Sequence, residues 1–118
     1  NLAGARVLLT GASTGIGAAL AAALAPHGAH IVLASRRVDT YSLPNAHWVA
    51  TDLTLEASRP ALVDAALAQL GGIDILINNA GVGGEGLALD VPIEEFDRAF
   101  AVNVRGTFVC AREAARRM

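Results

Sequence analysis

The sequence predicts an α/β fold, a doubly wound parallel sheet with strand order 3-2-1-4. Three observations carry that expectation. Short apolar runs alternate with helix-like stretches along the chain. The runs are nearly continuous instead of alternating with polar residues, as in parallel strands buried on both faces. A glycine-rich turn, Thr10 to Gly17 (TGASTGIG), joins the first run to the first helix-like stretch.

The elements follow in order. Ala5 to Thr10 (ARVLLT) is the first strand. Gly15 to Ala25 is alanine-rich and has one β-branched residue, Ile16, which favours helix, and Pro26 and Gly28 close it. Ile31 to Ser35 (IVLAS) is the second strand and His47 to Thr51 (HWVAT) the third, with Val38 to Ala46 a loop holding Pro44 and Asn45 between them. Glu56 to Leu70 places Ala57, Leu62, Ala65, Ala66 and Leu70 near helical spacing, ended by Gly71 and Gly72. Ile73 to Ile77 (IDILI) is the fourth strand, Gly81 to Gly86 a glycine-rich loop, and Ile93 to Met118 one long helix with Pro92 before it and Glu94 and Glu95 in its first turn. Strands alternating with helices call for right-handed crossovers and a parallel sheet.

Composition narrows the function. The chain has 118 residues, 53% of them hydrophobic and 17% charged, which suits one globular domain over residues 1–118. Its 9 basic residues are all arginine against 11 acidic ones, a net charge of -2 that lacks the positive field of nucleic-acid binders. Cys110 stands alone and reads as a small buried hydrophobe, and no apolar run reaches membrane-spanning length. A cytoplasmic protein is expected, with no membrane or nucleic-acid partner. The chain begins almost at its first strand and stops within a helix, so it is expected to be truncated at its C-terminal end.

The glycine loop points to a phosphate. Gly11, Gly15 and Gly17 lie between a strand and a helix, where one glycine turns the chain, one lets the backbone approach a pyrophosphate and one packs the helix on the sheet. Free amides at the helix N-terminus then face the anion. An ordinary tight turn is the plainer reading. The spacing is G-x-x-x-G-x-G, followed by Asp52-Leu53 after the third strand, Asn78-Asn79-Ala80-Gly81 after the fourth, and Asn103 in the last helix. In that order these motifs resemble the classical short-chain dehydrogenase/reductases, across essentially the whole chain. The resemblance implies that the loop Gly11, Ala12, Ser13, Thr14, Gly15, Ile16 and Gly17 wraps the phosphates and adjoining ribose of a nicotinamide cofactor. It implies that Asp52 and the Leu53 backbone meet the adenine, and that Asn79, Ala80 and Gly81 line the cofactor cleft. Ser13, Ser35, Asp52 and Asn79 also lie beyond the carboxyl ends of strands, where such sheets bind ligands. The plainer alternatives are a solvated turn or helix cap for Asp52 and a hydrogen-bonded structural turn for the NNAG run.

The second strand selects between cofactors. An acidic side chain at its end favours NAD by holding the ribose hydroxyls. Here Ser35 stands there, followed by Arg36 and Arg37, which can pair with a 2′-phosphate, so NADP is the expected cofactor and NAD the lesser one.

The resemblance also implies chemistry that these residues do not complete. The family uses a serine, a tyrosine and a lysine four residues after it, with an asparagine that supports a water-linked proton relay; Asn103 matches the asparagine. Tyr41 is the only tyrosine, Asn45 stands four residues on, and there is no lysine. The chain alone is therefore expected to be inactive, the cofactor-binding portion of an oxidoreductase that moves hydride between nicotinamide and an alcohol or carbonyl. A non-catalytic nucleotide sensor and a structural assembly module are the alternatives. His27, His30 and His47 are scattered without metal-ligand spacing, so no metal is expected. Phe96, Phe100, Val104 and Phe108 form an apolar stripe. Core packing is its plain reading, and a homo-oligomer interface on the final helix, as the family often has, is the sharper one.

Overall fold

A computed structural model describes residues 1–118. Four parallel strands, β1 (Arg6–Thr10), β2 (His30–Ser35), β3 (Ala46–Ala50) and β4 (Ile75–Ile77), lie in the order β3-β2-β1-β4. That is the expected fold class and strand order. Helix α1 (Gly15–Leu24) runs into a 3₁₀ turn at Ala25–His27, which stops at Gly28 with φ 79°. Helix α2 (Ser58–Leu70) stops at Gly71 with φ 74°. Both glycines occupy the left-handed conformation that ends helices, as their sequence positions suggest. Residues 38–45 form an irregular strap with no helix.

Strand alternation sorts the core into two layers. Val7 and Leu9 of β1 and Ile31 and Leu33 of β2 face α1 and bury Ala12, Ala21 and Ala29 with them. Leu8, Val32 and Ala34 face the other way, against Leu62, Val63 and Ala66 of α2 and Cys110 and Ala114 further on. With helices on both faces, these strands have no wet side, which is why they read as continuous apolar runs.

Two elements are shorter than their sequence patterns suggest. The fourth strand is only Ile75–Ile77 because Asp74 is engaged before it: its carboxylate accepts from Arg6 Nε at 2.9 Å and Nη2 at 2.7 Å, and its N–H donates to the Arg6 carbonyl at 2.9 Å. Hydrogen bonds from Arg6 hold the Asp74 carboxyl down at about 2. The second helix starts at Ser58 instead of Glu56, so that Pro60 falls in its first turn, where a missing N–H costs nothing.

The expected single helix Ile93–Met118 is broken. Helix α3 (Ile93–Phe100) passes into a π-helical segment, Ala101–Gly106, and then α4 (Thr107–Arg117). Arg59 accounts for part of this. It is 3% exposed, with Nε donating to the Leu53 carbonyl and Nη2 to the Ala101 carbonyl, both at 3.1 Å. A guanidinium on the first carbonyl of the segment competes with the helical ladder there, a recognised cause of local widening.

The phenylalanine stripe is not core. Phe96 and Phe100 are 50% exposed, Val104 51% and Phe108 61%. Val102, Gly106, Cys110 and Ala114 are buried in their place. These small residues let the helix approach Leu53 and the sheet closely; a Cβ on Gly106 would sit 3.5 Å from the Leu53 Cβ. Cys110 is fully buried, as expected, and burial pushes its thiol up. No helix is long and apolar enough to cross a membrane.

Candidate functional site

A cleft of about 700 Å³ opens at the carboxyl ends of the strands. Gly11, Ser13, Thr14 and Ile16 form one wall, and Ser35, Arg36 and Arg37 continue from β2. Asp52 and Leu53 follow β3, and Asn79, Ala80 and Gly81 follow β4. The structure thus brings twelve of the sequence-predicted residues around one cavity. Ala12, Gly15, Gly17 and Asn103 do not line it; they shape or support its walls.

The glycine loop is locked from below by Thr10 and Asn79. The Thr10 hydroxyl, 1% exposed, accepts from the Asn79 N–H at 3.1 Å and the Ala80 N–H at 3.0 Å. Asn79 Nδ2 donates to the Thr10 carbonyl at 3.2 Å and the Gly11 carbonyl at 3.0 Å. The loop after β4 and the loop after β1 are therefore one hydrogen-bonded unit. The amide of Asn79 is spent on this lock, so the plainer structural reading of the NNAG run holds alongside its position in the cleft. Gly11, at φ 67°, has Ala80 Cα 2.8 Å from where a Cβ would stand. No side chain fits between the two loops.

The loop's own polar groups face outward into the cleft. Thr14, the residue before α1, makes no side-chain cap, and the Ser13 N–H has no hydrogen-bond partner within the protein. Unpaired amides at the start of a helix make an anion site by dipole and direct donation together.

Asp52 accepts from the Thr54 hydroxyl at 2.6 Å and the Thr54 N–H at 3.0 Å. Those two bonds, with Arg36 and Arg98 adding favourable charge, hold its carboxyl below the usual range. Asp52 is thus a turn-capping residue and a wall of the cleft at once.

Sequence reasoning missed Arg98. It reaches the cleft from α3, far along the chain, and nothing in its local pattern distinguishes it from a solvated helix charge. With it the cleft carries three guanidiniums, Arg36, Arg37 and Arg98, against one carboxylate, Asp52. Thr54, whose hydroxyl and N–H both bond the Asp52 carboxylate, and Arg59, which reaches the Leu53 and Ala101 carbonyls, were missed as well.

Asn103 sits in the π-helical segment and clamps the loop after Gly81. Its Oδ1 accepts from the Val82 N–H at 2.8 Å, and its Nδ2 donates to the Val82 carbonyl at 2.7 Å. This two-bond pairing explains an asparagine in a helix interior, where its propensity is poor. Tyr41 lies outside the cleft, its hydroxyl donating to the Ala12 carbonyl at 2.7 Å. His27, His30 and His47 join no cluster with other metal-ligating side chains.

Comparison with known proteins places this arrangement. The family model described as short chain dehydrogenase matches residues 5–118. A short chain dehydrogenase/reductase from Aspergillus aculeatus is 40% identical over 127 residues, covering 99% of this chain and 48% of its own length. A 3-ketoacyl-(acyl-carrier-protein) reductase from Brucella melitensis, solved with NADH, superposes with a TM-score of 0.92 at 38% identity, covering 99% of this chain and 51% of that one. A short chain dehydrogenase from Burkholderia cenocepacia, solved with NADP, gives 0.90 at 31% identity, with 99% and 52% covered. The chain spans about half the length of the relatives it matches. The sheet order, the interlocked loops after β1 and β4, and a family match running from the first strand to the last residue agree: this chain belongs to the short-chain dehydrogenase family of oxidoreductases.

Proposed function

We propose that this chain is the cofactor-binding portion of a longer NADP-dependent oxidoreductase acting on a small alcohol or carbonyl compound. One observation carries the choice of cofactor: three guanidiniums and one carboxylate line the cleft, and Ser35, Arg36 and Arg37, not an acid, stand at the end of β2. An NAD-selecting site needs an acid there; a 2′-phosphate needs cations. The relatives include one solved with NADP and one with NADH, so the support for NADP comes from this chain's own Ser35, Arg36 and Arg37.

In this reading the amides from Ser13 to Gly17 take the pyrophosphate, and Gly11 and Ala12 give the turn its shape. Arg36 takes the 2′-phosphate, with Arg37 flanking it. Asp52 and the Leu53 backbone border the adenine, and Asn79, Ala80 and Gly81 form the floor. The unpaired Ser13 N–H, at the entry to α1, suits a pyrophosphate. Nicotinamide, when bound, supplies the hydride chemistry. Asn103 acts through Val82, holding the loop that borders the cleft. With no lysine and with Tyr41 committed to Ala12, these 118 residues alone have no acid–base pair for the oxygen proton.

Titrating the full-length protein with NADPH and NADH tests the reading. Tighter binding of NADPH, with its oxidation on adding carbonyl compounds, is the expected result; equal affinity for both sinks the NADP assignment. We also assign the exposed stripe to pairing with a second copy. Phe96 and Phe100 stack at 4.5 Å between centroids and lie half in solvent, and Phe108 is exposed as well. Phe100→Glu is expected to shift the full-length protein to a smaller species in light scattering; an unchanged mass removes the helix from the interface. The cytoplasm is the proposed compartment, in keeping with a single buried thiol, and cell fractionation checks it.

A further inference from the structure

Tyr41, the chain's only tyrosine, makes a contact that the cofactor reading does not absorb. Its hydroxyl donates to the Ala12 carbonyl at 2.7 Å. Ala12 is fully buried, and its own N–H donates to the Ala34 carbonyl at 3.2 Å. The residue is thus gripped on both sides. In a trans peptide the carbonyl and the following N–H point in opposite directions. Holding the Ala12 carbonyl toward the strap therefore turns the Ser13 N–H toward the cleft, which Ser13 lines. That N–H has no partner within the protein.

Tyr41 is itself fixed. Trp48 Nε1, from β3, donates to the Tyr41 carbonyl at 3.0 Å, and the two rings meet edge to face at 5.0 Å between centroids. The strap turns at Asp39 (φ 58°) and Asn45 (φ 56°), the residue types that tolerate a left-handed backbone. Tyr41 and Leu43 pack on the α1-side core. Burial pushes the Tyr41 hydroxyl upward, so it keeps its proton and remains a donor.

We propose that Tyr41 is a positioning residue for the phosphate-binding loop: through the Ala12 carbonyl it aims the Ser13 amide at the pyrophosphate and ties that loop to the β3 edge. The inference rests on the cofactor reading above and deepens it. It makes the strap a determinant of pyrophosphate affinity while leaving recognition of the 2′-phosphate to Arg36.

The test uses full-length protein, Tyr41→Phe, and two ligands in calorimetric titration. NADPH carries the pyrophosphate; adenosine 2′-monophosphate carries only the 2′-phosphate end. Losing one hydrogen bond that orients an amide is expected to weaken NADPH about five-fold. Binding of adenosine 2′-monophosphate is expected to stay at the wild-type value. Equal weakening of both ligands means general damage and overturns the proposal, as does unchanged NADPH affinity. Wild-type protein that binds neither ligand overturns the cofactor reading and this inference with it. Trp48→Phe provides a second route should Y41F fail to accumulate. It frees the Tyr41 carbonyl, keeps the hydroxyl, and is expected to give a smaller loss for NADPH alone; loss for both ligands, or for neither, counts against Tyr41.

Discussion

Gly17→Ala is expected to abolish NADPH binding and to lower the melting temperature of the full-length protein by roughly 10 °C. A Cβ at Gly17 would collide with the Gly11 carbonyl oxygen and stand 2.6 Å from Asn79 Nδ2 and 2.8 Å from the Gly11 carbonyl carbon. Two of those three atoms are backbone. They cannot swing aside as a flexible side chain would, and overpacking of this kind costs about 3 kcal/mol. The collision also falls on the bond from Asn79 Nδ2 to the Gly11 carbonyl, so relief by movement unlocks the two loops that frame the cleft. Gly15→Ala is the informative contrast. Nothing lies within 4 Å of its added Cβ, and only its φ of 56° opposes alanine, for a cost of about 1 kcal/mol. A Gly17→Ala protein that melts and binds NADPH like wild type would show that the helix does not pack against this loop as described.

The difference between those two glycines marks what sequence could and could not reveal. Three glycines between a strand and a helix were legible because the turn is local; which of them is crowded depends on how the loop folds back on Gly11 and on Asn79 and Ala80, far along the chain. The strand order was legible for a similar reason, since continuous apolar runs separated by helices leave few ways to pair. The last helix departs from its sequence pattern because its largest apolar residues are not its buried face. Phe96, Phe100 and Phe108 are conspicuous, yet Val102, Gly106, Cys110 and Ala114 are what fit against the sheet. Small residues give a weak hydrophobic signal and a close approach. The π-helical segment was invisible as well, because one of the groups that support it, Arg59, comes from α2 and reads in sequence as an ordinary surface charge.

Arg36→Asp is expected to weaken NADPH about a hundredfold and to leave NADH within a fewfold of wild type, measured by titrating each cofactor into full-length protein. A charge-assisted bond to a phosphate contributes about 1.5–3 kcal/mol, and reversing the sign of the side chain adds repulsion to its loss. A hundredfold change corresponds to about 2.8 kcal/mol, within that range. NADH lacks the 2′-phosphate, so it meets neither the lost bond nor most of the repulsion. The surroundings sharpen the contrast. Arg36 is exposed at the rim and helps Thr54 keep Asp52 ionised, so an aspartate at position 36 would face Asp52 with only Arg37 and Arg98 left to balance the two. An acid there would also supply the group that holds ribose hydroxyls in NAD-selecting sites. Equal losses for NADPH and NADH would place Arg36 outside the 2′-phosphate site. Wild-type selectivity for NADPH that survives the substitution would shift the role to Arg37 or Arg98, the two cations the cleft retains.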